Sequence, residues 1–222
     1  MTLNYEKHLI IFDLDGTLTD SERVQSKVYY EVIPQIDMPH ELFMEWIRGK
    51  HIDIVLKDIE QRFGSPIPDD FVQYYRSRLP DLFKDELETM PGVPDMLEQL
   101  KQNGFSMCVA SNAPKPKVEM ALEITGIAHY FNNNLFSAYD VSSWKPDPLL
   151  FLHAVQEMGC DIGKSVCIED SESGCRAALS GSIDCFHYLP HFEEAYTGTK
   201  GFNDMKDLPR LLQKHFDAEI VG

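Results

Sequence analysis

The chain has 222 residues, of which 43% are apolar and 25% charged, and its formal net charge is -16. That length can bury one substantial core and a smaller unit beside it, and the acidity excludes nucleic acid and anionic lipid as partners, since binding either demands Lys and Arg against phosphates. An acidic protein that handles phosphates needs a local exception, either a metal ion or a few cations placed in the site.

Residues 1–8 are polar and the apolar run that follows is short, so neither a signal peptide nor a membrane span is expected. Leu9-Ile10-Ile11-Phe12 is continuous, β-branched and apolar, the pattern of a strand buried on both faces in a parallel sheet. Asp13-Leu14-Asp15-Gly16-Thr17 follows it directly. Residues 21–88 contain no convincing buried strand. Helical patterns at 24–33, 41–47, 52–63 and 71–83 are separated by Pro34, Pro39, Gly49, Gly64, Pro66 and Pro68, which predicts a small all-helical insert. Pro91-Gly92 marks the return.

A helix is predicted over 93–103, stopped by Gly104, and a second strand over 106–111, ending in Ser111-Asn112. A helix over 118–124 and a weaker strand over 135–137 come next. Lys145-Pro146-Asp147-Pro148 precedes a helix over 149–158, whose stop is Gly159. A third buried strand, 165–168, ends in Glu169-Asp170. A helix over 174–179 and a weak strand over 183–186 complete the pattern. Strands alternating with helices predict an α/β fold with a mostly parallel sheet. Residues 1–20 and 89–222 are its expected core, and 21–88 the insert. Cys108, Cys160, Cys167, Cys175 and Cys185 form no CxxC pair, so buried free thiols in a reducing cytoplasm are expected.

In open parallel sheets, ligands bind at the carboxyl ends of the strands. Two aspartates there, at i and i+2 before a Gly turn, suit phosphoryl chemistry. One carboxylate can attack phosphorus and the other can serve as general acid and then base. A hard divalent cation held by carboxylates would neutralise the phosphate. Ser111 and Asn112 could hold phosphate oxygens before a helix N-terminus. Lys145 could neutralise the transferring group, and Glu169-Asp170 could complete a metal site with Asp13. Each feature alone is an ordinary turn, cap or solvated charge; their order along successive strand ends is specific.

Taken together, Asp13-Leu14-Asp15-Gly16-Thr17, Ser111, Lys145 and Glu169-Asp170 resemble the four motifs of the haloacid dehalogenase superfamily of phosphohydrolases. The helical insert resembles the cap of the subgroup containing β-phosphoglucomutase and small sugar-phosphate phosphatases. The stretch 109–131, and then 135–140 into 144–148, looks like bacterial 6-phosphogluconate phosphatase-type enzymes, and Ile47-Arg48-Gly49-Lys50 is compatible with that. The resemblance implies a Rossmann-like three-layer core with an all-helical cap, and bound Mg²⁺. It implies Asp13 as nucleophile and metal ligand, and Asp15 as acid/base and ligand through its carbonyl. Thr17, Ser111 and Asn112 would serve the phosphate, Lys145 would stabilise charge, and Glu169 and Asp170 would serve the metal. The implied partner is a small phosphorylated metabolite, met by a cytoplasmic monomer or weak homodimer.

Competing reactions remain open at this point. Dehalogenation needs neither Asp15 nor the acidic pair, so phosphoryl chemistry is favoured. A β-phosphoglucomutase-type mutase would have a histidine where Gln25 stands. Phosphonate hydrolysis would need a cap lysine, for which Lys50 is conceivable. A non-enzymatic receiver domain would order its motifs differently and lack the insert. In the insert, Arg48, Lys50 and His51 cluster at a break between helices and are candidate substrate contacts. Trp46 and Tyr139 could line a pocket or pack inside, and His187 and His191 have no partner legible in the sequence.

Overall fold

The computed structural model describes residues 5, 7–191 and 194–220, so most of the polar leader lies outside the described residues. Six strands form one sheet: β1 (Leu9–Phe12), β2 (Ser106–Ser111), β3 (Leu135–Ser137), β4 (Ser165–Glu169), β5 (Asp184–Tyr188) and β6 (Lys200–Phe202). The spatial order is β3-β2-β1-β4-β5-β6, and every pairing is parallel. Side chains alternate across the sheet, as a two-residue period requires. Ile10, Phe12, Met107, Val109, Val166 and Ile168 face one layer of core. Leu9, Ile11, Cys108, Ala110, Cys167 and Cys185 face the other.

Helices cover both faces, which is why the strands read as unbroken apolar runs. One face packs α5 (Val93–Gln102), α6 (Lys115–Ile124) and α10 (Leu208–Ile220). The other packs α8 (Leu149–Glu157) and α9 (Glu172–Ser180), with the short α7 (Ala138–Val141) beside β3. This is the three-layer, Rossmann-like α/β core expected. Between β1 and α5 lie α1 (Ser21–Val32), α2 (His40–Ile47), α3 (Ile52–Phe63) and α4 (Phe71–Glu86). Their interior is aromatic: the Tyr29 ring stands 5.4 Å from Phe43, 5.3 Å from Phe71 and 5.6 Å from Tyr75. The two chain segments that enter and leave this helical unit run side by side, Asp20 N–H donating to Glu88 O and Met90 N–H to Leu18 O.

The differences from the sequence reading have local causes. α1 starts at Ser21 rather than residue 24, and α6 at Lys115 rather than 118; Pro116 occupies the first turn of α6, where its missing N–H costs nothing. α4 continues through Pro80 to Glu86 because Tyr75, Leu79 and Phe83 keep one buried face on either side of the proline. β5 starts one residue later than expected and ends two residues later, so it includes His187 and Tyr188. β6, a Lys-Gly-Phe edge, carries no apolar pattern to announce it. The five cysteines are free, and all but Cys160 are buried. Among the described residues no helix is long and apolar enough to cross a membrane.

Candidate active site

The register decides what meets at the top of the sheet. Phe12 pairs with Val109 on one side and with Ile168 on the other. The residues that follow these positions therefore emerge together at the carboxyl ends of β1, β2 and β4, the three central strands. Asp13 continues β1 by donating its N–H to Ile168 O at 3.0 Å. Asp13, Glu169 and Asp170 are buried, and each offers a carboxylate oxygen within 4.8 Å of the others.

Lys145 enters from the segment before α8. Its ammonium donates to Asp13 Oδ1 at 2.5 Å, Glu169 Oε1 at 2.6 Å and Ala110 O at 2.9 Å. Asn112 fixes that segment by accepting the Lys145 N–H at 2.9 Å. Ser111 Oγ accepts the Ala113 N–H at 3.1 Å, and Ser111 and Asn112 both line the cavity above Asp13. Thr17 is fully buried and donates to Asp170 Oδ1 at 3.0 Å, so it steadies that carboxylate from behind and does not line the cavity. Ser171 donates to Glu169 Oε2 at 3.0 Å and caps α9 through the Gly174 N–H.

Asp15 stands apart from this acidic group. Its carboxylate accepts from Lys117 Nζ at 2.9 and 2.8 Å, from Gln25 Nε2 at 3.0 Å, and from Ser21 Oγ. Gln25 in turn accepts from Tyr75 Oη at 2.5 Å and from Lys117 at 3.0 Å. Core and helical insert thus meet on one carboxylate.

The two aspartates titrate in opposite directions. Burial pushes the Asp13 carboxyl up to about 7 against the pull of Lys145, and Glu169 and Asp15 add repulsion. Burial also acts on Asp15, but Lys117 and its hydrogen-bond donors outweigh it and hold the group below the usual carboxylate range. Asp170 is raised by burial and then by Glu22, Asp13 and Glu169, and Glu22 is pushed up to about 8, mainly by burial. Burial comes first in each case, and a shortage of positive charge adds to it. Five carboxylates, those of Asp13, Asp15, Glu22, Glu169 and Asp170, face three cations, Lys117, Lys145 and Arg48. A hard divalent cation supplies the missing two charges, and an all-oxygen donor set is the kind that Mg²⁺ takes. The site therefore fits a metal.

The loop after α2 closes the site. Arg48 Nε lies 3.8 Å from both Glu22 and Asp170, so it serves the acidic cluster and lines a neighbouring surface cleft rather than the main cavity. Lys50 and His51 do line the main cavity. Lys50, however, is paired with Asp58 at 2.8 Å and sits over the Trp46 ring, while His51 caps α3 and meets Trp144 edge-on. Trp46 packs against Phe43 and Phe63, whereas Tyr139 faces the cavity. At Gly49, φ is +67° and an added Cβ would lie 2.7 Å from Ser171 Cβ, so only glycine lets the loop approach β4's end this closely. The sequence reading missed Glu22 and Lys117, and named His187 without a partner. His187 accepts the Tyr196 N–H at Nδ1, which leaves Nε2 to donate to Asp170 O at 3.1 Å. The cavity has a volume of about 490 Å³, and its lining joins Asp13 and Asp15 with the apolar Val55, Leu79 and Met120 and the Tyr29 ring.

Comparison with known proteins agrees with this geometry. Residues 7–181 match the haloacid dehalogenase-like hydrolase family. The chain is 28% identical over 209 residues to 6-phosphogluconate phosphatase of Escherichia coli (strain K12), covering 91% of this chain and 93% of that one. It is 26% identical to a phosphorylated carbohydrates phosphatase of Thermotoga maritima, covering 82% and 85% of the two chains. The fold superposes on a haloacid dehalogenase-like protein of Agrobacterium tumefaciens with a TM-score of 0.80 at 23% identity, covering 94% of this chain and 99% of the other. The catalytic motifs, the sheet order and a family match across most of the length converge: the chain belongs to the haloacid dehalogenase-like hydrolases, and it is an enzyme of their phosphatase kind.

Proposed function

We propose that the protein is a Mg²⁺-dependent phosphomonoesterase acting on a small sugar phosphate or sugar-acid phosphate such as 6-phosphogluconate, through a phosphoryl group carried on Asp13. The observation that carries this reading is the division of labour between two aspartates on one strand end. Asp13 sits among the buried acids with Lys145, and Asp15 sits 2.8 Å from Lys117 at the cavity's side. The relatives named for 6-phosphogluconate and phosphorylated carbohydrates support the substrate class.

Mg²⁺, held by Asp13, Asp170 and the Asp15 carbonyl with Glu169 beside them, would supply charge neutralisation for the bound phosphate. Phosphoryl transfer asks mainly for positioning and electrostatics. A carboxylate oxygen of Asp13 attacks phosphorus in line, and the bond to the leaving oxygen breaks. Asp15, ionised while Lys117 holds it, takes up a solvent proton once that pairing is released and delivers it to that oxygen, so the leaving group departs as a neutral alcohol. Asp15 then removes a proton from water as the water oxygen attacks the Asp13-bound phosphorus. Phosphate leaves and the Asp13 carboxylate is restored. Lys145 neutralises charge on Asp13 and the phosphoryl oxygens throughout, and Ser111 and Asn112 hold the phosphate over the end of β2. The helical unit of residues 21–88 is the cap that closes over this reaction. Gln25 is a neutral amide, which supports hydrolysis over a mutase cycle in which that position would manage a proton.

The test is phosphate release from 6-phosphogluconate, hexose phosphates, β-glucose 1-phosphate and phosphoglycolate, with Mg²⁺ and with excess EDTA. Release that EDTA abolishes and Mg²⁺ restores is expected, strongest for a sugar or sugar-acid phosphate. Undiminished release after metal stripping would overturn the metal dependence. Conversion of β-glucose 1-phosphate to the 6-phosphate without phosphate release would replace hydrolysis with mutase chemistry.

A further inference from the structure

Four cations line the cavity: Lys50, Arg76, Lys117 and Lys145. Lys145 is bound to Asp13 and Glu169, and Lys50 to Asp58. Arg76 is exposed on α4 and has no ion-pair partner among the described residues. Lys117 is different in kind. Its side chain is only 14% exposed, and its one ion-pair partner among the described residues is Asp15, which it holds through both oxygens.

That pairing cannot persist through a reaction in which Asp15 serves the leaving oxygen. Asp15 Oδ1 accepts from Lys117, Gln25 and Ser21 and Oδ2 from Lys117, and a carboxylate held ionised by an ammonium on both oxygens has no proton to give the ester until Lys117 lets go. No other carboxylate in the cavity is available to draw Lys117 away: Asp13 is held by Lys145, and Glu22 by Arg48 and the Gly49 N–H. Much of the remaining wall is apolar, with Met120, Tyr29, Val55 and Leu79. In such a setting one or two charged groups decide a ligand's orientation. The position of Lys117 is also unfavourable by local rules. α6 opens Lys115-Pro116-Lys117 with no acid in its first turn, so its cations sit at the positive end of the helix dipole. Nothing in the packing of α6 requires a lysine there; its buried face is made by Val118, Ala121 and Leu122.

We propose that Lys117 is the specificity residue of this enzyme. It takes a carboxylate borne by the leaving group, exchanges Asp15 for it, and so frees Asp15 for the ester oxygen more readily when an acid phosphate is bound. The substrate class is then a sugar-acid phosphate in preference to the corresponding neutral sugar or polyol phosphate. Arg76, reaching the same cavity from α4, which packs on α6, is the second cation available to that carboxylate. This assignment rests on the phosphatase reading above and narrows it.

The test compares two substrates that differ only at carbon 1: 6-phosphogluconate, a carboxylate there, and D-glucitol 6-phosphate, an alcohol. For the wild-type enzyme kcat/KM is expected to favour the acid by about tenfold to a hundredfold, the usual worth of a hydrogen bond to a charged group. Lys117→Gln is expected to erase that ratio, and Lys117→Arg to keep most of it. A purely structural role, in which Lys117 only steadies Asp15, would lower both substrates equally and leave the ratio intact. An unchanged ratio in Lys117→Gln overturns the assignment, as does equal use of both substrates by the wild type. p-Nitrophenyl phosphate, which has no such carboxylate, separates the two claims. Wild-type protein that fails to hydrolyse it, and both sugar substrates, with Mg²⁺ sinks the phosphatase reading itself.

Discussion

At the scale of residues, the site depends on how closely backbone can approach carboxylate. Gly174, in the first turn of α9, has no room for a side chain: a Cβ would fall 1.9 Å from Glu169 Cδ. Glu169 cannot swing aside, because Lys145 holds one oxygen and Ser171 the other. Gly174→Ala is therefore expected to displace Glu169 or α9. The cost should be about 1–3 kcal/mol of stability, typical of overpacking, together with a marked loss of kcat. Denaturant unfolding and phosphate release check both; an alanine variant with unchanged stability and rate would contradict this packing. The motif residues were legible because each is contiguous with a strand that announces itself: Asp13 after Leu-Ile-Ile-Phe, Ser111 at the end of Met-Cys-Val-Ala, Glu169 after Val-Cys-Ile. Lys117 was not, because its partner lies 102 residues away and only the sheet brings them together. Its one local sign was a pair of lysines at the wrong end of a helix. His187 was hidden for a similar reason, since its bond to the Asp170 carbonyl exists only through the pairing of β4 with β5.

At the scale of elements, the helical unit and the sheet are stabilised separately and joined at the active site. The four insert helices pack around Tyr29, Phe43, Phe71 and Tyr75, and Phe43 and Phe71 are almost wholly buried. Phe43→Ala removes the ring that contacts Tyr29, Tyr30 and Trp46, and the expected cost is about 3–5 kcal/mol. Phe43 touches no catalytic group. Any protein that remains folded should therefore lose leaving-group selection and KM before it loses turnover of p-nitrophenyl phosphate. Thermal or urea unfolding gives the stability, and a loss below about 1 kcal/mol would show that the site collapses around the change. The helices of this unit and the central strands were readable from period and breakers. Helix starts were less so: α1 and α6 begin three residues before their apolar stripe, where Ser21 and Lys115 carry no periodic signal. β6 was invisible because an edge strand of Lys-Gly-Phe, exposed at its first two residues, has no buried pattern.

At the scale of the whole molecule, the chain is strongly acidic, and its most crowded acids lie at the centre of the sheet's carboxyl edge, where β1 separates β2 from β4. Their excess charge is a cost to the folded state that a bound divalent cation removes. Mg²⁺ is accordingly expected to raise the melting temperature of the wild-type protein and to do so much less for Asp170→Asn. A shift of equal size in both would place the stabilising ion elsewhere. The bulk charge pointed to such an exception from the outset, but it did not say where the cation deficit lies. That needed the positions of Glu22 and Arg48, which no strand-end motif contains.

The central claim is that Asp13 carries the phosphoryl group. The most direct measurement is turnover of 6-phosphogluconate, with Mg²⁺ present, by the wild type and by Asp13→Asn of verified intact mass. Asparagine keeps the size and the place at the end of β1 but is a far poorer nucleophile than a carboxylate. The expected result is hydrolysis by the wild type and none detectable above background in the folded variant. Substantial phosphate release by Asp13→Asn, with its mass unchanged after the assay, would contradict the account.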